Sequence, residues 1–189
     1  KEQQIKNRGT GAGGANTNKN GLKYELETEL FKSPIFLSRI TLKNNNKHIN
    51  EINIKGNNNT YIHIKKSNQL FKYMKDEMNK DIPQAHGCKQ PDEAIINKTK
   101  NIIFIIEKKF QKCGGSVCEK IQTSQFKIWQ YSRTFPKYKI VYIYCLSNWF
   151  KKNCIAELEY LKLKNVPVFW GNKTDYSIDL TNFIINYKL

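Results

Sequence analysis

The chain has no apolar run near the ~18 residues that a membrane-spanning helix needs, and residues 1–20 contain no signal-peptide core. A soluble, cytoplasmic protein is expected. The five cysteines (Cys88, Cys113, Cys118, Cys145 and Cys154) are odd in number and follow no recognisable disulfide framework, so reduced thiols are expected. Acids are scarce. Sixteen Asp and Glu stand against thirty-two Lys and Arg, a formal charge of +16. A chain so unbalanced repels itself when compact, and a polyanion relieves that repulsion. Nucleic acid is the expected partner, because each neutralised phosphate also releases counterions. The joint abundance of Lys, Asn and Ile also fits a biased genome, but that bias alone does not make acids rare. There are no internal repeats. The glycines of GTGAGG lack the Gly-Lys-Ser/Thr and the preceding strand of a nucleotide-binding loop. His48, His63 and His86 form no H-N-H nuclease pattern.

At 189 residues, 39% of them hydrophobic, the chain can bury a core as one domain over positions 1–189. Residues 1–20 are rich in Gly, Asn and Lys and are expected to lack regular structure. A helix is then expected, with Leu22, Leu26 and Leu30 on one stripe and Glu25 and Glu29 beside it, ended by Pro34. FLSRITLK, HINEINIK and TYIHIKK, separated by Asn-rich turns, predict an antiparallel meander. Residues 67–80 return to helical spacing, with Ser67 as N-cap and Leu70, Phe71, Met74 and Met78 inward.

Next come a strand at DEAIIN and a strand at NIIFIIEKKF whose aliphatic first half reads as buried on both faces. Ser116-x-x-Glu119 is a capping box opening a helix to about Tyr131. The strand YKIVYIYCL, a helix over roughly 150–163, the strand VPVFW and a helix near 178–187 complete the chain. This order predicts an α/β sandwich around a mixed central sheet. Trp129, Trp149 and Trp170 fall on apolar faces and are expected in the core, as is Cys145. His86, Cys88, Cys113 and Cys118 offer four candidate zinc ligands, although the Cys113-x4-Cys118 gap lies at the edge of common zinc spacings.

The stretch that carries chemistry is Pro91-Asp92, then Glu107-Lys108-Lys109 after fourteen intervening residues. Side chains alternate along a strand, so Glu107, Lys109 and Gln111 share one face. If the strand after Asp92 pairs with the strand holding Glu107, both carboxylates meet at one sheet edge. Two carboxylates there suit a hard divalent cation such as Mg2+. A lysine beside them can orient water or stabilise charge on a phosphate. In a Lys-rich chain, E-x-K alone arises by accident. Its place at the end of a buried strand argues for use, because charges there cost desolvation.

These residues resemble the signature of the PD-(D/E)XK nuclease superfamily and, more narrowly, type II restriction endonucleases. GTGAGGANTNKNGLKYE is similar to their N-terminal segment, HGCKQPDEAIIN to their first acidic motif, and IIEKKFQ with GGSVCEKIQT to the second motif and following helix. The resemblance implies a PD-(D/E)XK nuclease-like α/β/α sandwich. It implies that Asp92, Glu107 and the backbone carbonyl of Lys108 ligate Mg2+, that Glu25 joins them directly or through water, and that Lys109 positions or deprotonates the attacking water. Gln111 with Asn16, Asn18 and Lys19 would contact DNA. Cys118 stands where the family more often has an acid.

The implied reaction is phosphodiester hydrolysis leaving 5′-phosphate ends, performed by a homodimer on a short palindromic duplex site, with a cognate DNA methyltransferase as companion. Two other readings remain: another nuclease of this superfamily, such as a Holliday-junction resolvase or repair nuclease, and a non-catalytic basic DNA-binding module.

Overall fold

The computed structural model describes residues 14–45, 48–65, 69–78, 87–112 and 117–188. The expected core of the architecture is present: a mixed sheet whose strands lie side by side in chain order. β1 (Ile40–Asn45), β2 (Ile49–Ile54), β3 (Thr60–Ile64), β4 (Glu93–Asn97) and β5 (Ile102–Lys109) pair antiparallel in turn. β6 (Lys139–Leu146) and β7 (Val168–Trp170) then continue parallel to β5. A parallel neighbour requires a crossover, and the helices between β5 and β6 supply it.

Helices cover both faces. On one lie α1 (Gly14–Glu27), α2 (Pro34–Ser38) and α8 (Tyr176–Asn186). Tyr24, Phe36, Tyr176 and Leu180 from these helices pack on Ile95, Phe104, Ile106 and Ile143 of the sheet. On the other lie α3 (Gln69–Met78), α4 (Val117–Gln122), α5 (Ser124–Thr134), α6 (Trp149–Asn153) and α7 (Ile155–Leu163). Leu70, Met74, Ile121, Phe135 and Leu161 pack there on Ile96, Ile103 and Ile105. All of Ile102–Ile106 is buried, as a strand sandwiched between two helix layers must be.

Several expectations are corrected. Helix α1 starts at Gly14, inside the stretch expected to be irregular. Packing of its later turns carries the helix back through poor helix formers, because propagation costs less than nucleation. Tyr24, and Thr28 just past the helix end, are buried, whereas Leu22 is 60% exposed and Leu26 is exposed as well. The helix expected to run to about Tyr131 breaks at Thr123, and the one over 150–163 breaks at Cys154. Cys154 forms a disulfide with Cys118, so these two are not reduced thiols, and Cys118 is lost to any zinc set. Cys88 and Cys145 are buried outside any disulfide; His86, Cys113, Ser67 and Ser116 lie outside the described residues. Trp149 and Trp170 are partly buried against the core, but Trp129 is 52% exposed, against expectation. Among the described residues, no helix is long and apolar enough to cross a membrane.

Candidate active site

The register of β4 against β5 builds the site. Glu93 faces Ile106 across the antiparallel pair, which sets Asp92, one residue before β4, abreast of Glu107. The Lys108 backbone N–H donates to Asp92 Oδ2 at 2.7 Å, fixing that carboxylate at the end of β5. Glu107 and Lys109 point to the face covered by α4 and α5. Lys108 points to the face covered by α1.

The Lys109 ammonium lies 2.6 Å from Glu107 Oε1, 3.1 Å from the Lys108 carbonyl oxygen and 3.7 Å from Asp92 Oδ2. One cation thus sits among the three oxygens named from the sequence as metal donors. Glu25 reaches the same centre from α1. Burial raises its pKa, and the neighbouring Asp92 raises it further, against the pull of Lys109. Asp92 is also raised, by burial first and by Glu107 second, with Lys109 opposing. Burial acts the same way on Glu107, but Lys109 and Lys127 overcome it and hold that carboxyl below its ordinary value. Lys109 is raised: burial works against its charge, and Glu107 and Asp92 outweigh burial. The site therefore keeps one carboxylate firmly ionised beside two that bind protons more readily, a division that crowded acids enforce.

These groups line a cavity of about 850 Å3 between α1, the end of β5 and helices α4 and α5. Gln111 lines it too, held where its backbone N–H donates to Ser147 Oγ and its carbonyl accepts from that hydroxyl, at 3.1 and 3.2 Å. A second cavity of about 810 Å3 opens near the start of β6, beside Lys139, Lys162 and Lys164, and no carboxylate lines it.

One expected contact, Lys19, does not line this cavity. Lys19 is exposed on α1 and lines a separate groove with Lys23, Leu26, Glu27 and Lys32. Asn16 and Asn18 fall early in α1, and their side chains lie outside the described part. Conversely, Lys127 of α5 went unforeseen: its ammonium is 3.1 Å from Glu107 Oε1. Lys120, Thr123, Lys127 and Gln130 line the cavity at helical spacing, a stripe visible in the sequence only once the helix is known to cross over β5.

Lys108 is the largest surprise. It is 4% exposed, with its ammonium 2.8 Å from Glu93 Oε2 and donating to the Glu25 carbonyl oxygen at 3.1 Å. Glu93 also contacts His63 and accepts the Leu30 N–H at 3.1 Å, and Phe31 stacks on His63 at 4.4 Å. Burial would raise the Glu93 pKa, but Lys108 and His63 bring it down to about 2. The network ties α1, which carries Glu25, to the strand that carries Glu107.

Comparison of the chain with family models, curated proteins and solved structures returned no match.

Proposed function

We propose that the chain is a Mg2+-dependent endonuclease of the PD-(D/E)XK type acting on double-stranded DNA, and specifically a type II restriction enzyme working as a homodimer. The observation that carries this reading is the single cation held by Asp92 Oδ2, Glu107 Oε1 and the Lys108 carbonyl, with Glu25 alongside. Hard oxygens in that number fit Mg2+, which takes one or two carboxylates and keeps waters. Asp92, Glu107, the Lys108 carbonyl and Glu25 would hold it. Bound there, the ion would supply charge that activates a water and neutralises an attacked phosphate.

The protein's own groups do the rest. Lys109 donates to the attacking water or the phosphate from the face it shares with Glu107. Lys127 keeps Glu107 ionised. Gln111, on the cavity wall, contacts the phosphate backbone. The +16 charge draws the polyanion in, and the α/β sandwich with a mixed sheet agrees with the nuclease fold that the motif implies.

A digest of plasmid DNA with Mg2+ tests the reading. Discrete fragments that vanish with excess chelator are expected. Cleavage confined to branched substrates would instead mean a resolvase, and binding without cleavage a non-catalytic module.

A further inference from the structure

Helix α5 turns Lys127, Gln130 and Tyr131 toward the cavity and leaves two large rings open to solvent. Phe126 is 58% exposed and Trp129 is 52% exposed. They stack on each other with centroids 5.7 Å apart and planes 25° apart. The Arg133 guanidinium lies 5.5 Å from the Trp129 ring centre, on its far side in the chain. Spacings of three and four residues bring all three onto one side of the helix. The result is a short column (Arg133, Trp129, Phe126) whose last ring borders the cavity that holds Asp92 and Glu107.

Two adjacent open rings are an unusual surface for a monomer and mark a place where something binds. The charge around them selects the occupant. Lys89, Lys120 and Lys127 line the same cavity, and Arg133 closes the far end of the column. Glu25, Asp92 and Glu107 are the acids that line the cavity, and they form the candidate metal site. A partner that is both polyanionic and rich in flat π faces fits: nucleic acid, with a base against the rings and phosphates on the cations. Bases inside a duplex already stack on their neighbours and offer no free face.

We infer that Phe126 and Trp129 are a stacking platform for an unstacked nucleobase of the strand that enters the cavity. This rests on the nuclease reading only in that DNA is taken to occupy the cavity. It narrows the substrate to DNA with an unpaired base near the site, or to a duplex from which binding turns a base out.

The test uses the full chain with Ca2+ in place of Mg2+, so that DNA is held rather than cut. The probes are a single-stranded oligonucleotide, a blunt duplex of the same sequence, and that duplex carrying an unpaired overhang. Tryptophan emission should be quenched by the probes with an unpaired base, and the quenching should be absent in Trp129→Phe, which leaves Trp149 and Trp170. Phe126→Leu keeps an apolar side chain without the ring, and should weaken those probes by about tenfold. If the blunt duplex shows the same quenching and the same loss, the base comes from the duplex itself, and the platform stands. The inference is overturned if Trp129→Phe is quenched as the parent is. It is also overturned if Phe126→Leu shifts every affinity by less than about twofold, or if Phe126→Leu splits a dimer that forms without DNA, which would make the rings a self-interface. Plasmid cleavage in Mg2+ is scored separately: quenching without cleavage keeps the platform and removes the nuclease, and cleavage without quenching does the reverse.

Discussion

Lys108 and Lys109 are neighbours in the chain with opposite surroundings. Lys109 sits among carboxylates at the cavity; Lys108 is buried against Glu93 on the other face. Lys109→Ala should lower the cleavage rate by on the order of 10²-fold, the cost of removing one preorganised donor. Its thermal melt should stay close to the parent's. Lys108→Ala leaves Glu93 buried without its ammonium, and such losses cost about 3–5 kcal/mol. Denaturant unfolding should show that loss, and an unchanged midpoint would refute the buried pair. Of the two lysines, Lys108 is therefore the one on which folding depends. Glu93 adds a pH signature. Its folded pKa, about 2, lies below the value of an unfolded glutamate. The stability it contributes is complete above the unfolded pKa and is lost as pH falls toward about 2. In denaturant titrations Glu93→Gln should be less stable at neutral pH and should lose this part of the acid decline. An acid decline equal to the parent's would show that Glu93 is not its source.

At the scale of elements, the site depends on how α1 rests on the sheet. A Cβ at Gly171, just after β7, would stand 2.6 Å from Thr28 Cγ2 and 2.8 Å from Tyr24 Cζ. Both residues lie on the face of α1 and its C-terminal end that packs down, and Glu25 follows Tyr24 directly. Gly171→Ala should push that end outward and shift Glu25. Cleavage should fall by on the order of 10- to 10²-fold, as small misplacements of a site allow. Paired rate and melting measurements check this; a full rate with a lowered melt would mean that α1 does not position the site. This dependence was not legible in the sequence. Leu22 and Leu26 have helical spacing in α1, yet Tyr24 goes inward instead of them, against Phe110 at 5.3 Å and Cys145 Sγ at 3.5 Å. Tertiary packing overrode periodicity there. Strand β5 was legible because an unbroken aliphatic run can only be covered twice. Strand parity likewise separates Lys108 from Lys109, but it does not reveal that Glu93 and His63, from other strands, close over Lys108.

For the molecule as a whole, the α/β character and the mixed sheet followed from the alternation of turn-bounded strands and helical stretches, whereas the side-by-side order of all seven strands is seen only in the fold. The grouping of Asp92, Glu107 and Lys109 followed from motif spacing, and the place of Glu25 beside them only from the resemblance to the nuclease family. Lys127 and the open rings of α5 were missed because they depend on where a crossover helix lands, which no local pattern encodes. The Cys118–Cys154 bridge joins positions 36 apart and had no framework to announce it. All of this converges on one centre at the end of β5, and the most direct test of it is the single-turnover cleavage rate of Glu107→Ala beside the parent, in Mg2+ and at equal DNA occupancy. The account predicts a loss of 10²-fold or more, on the order that removal of a key catalytic group produces, with DNA binding retained. A Glu107→Ala rate within about tenfold of the parent would contradict it.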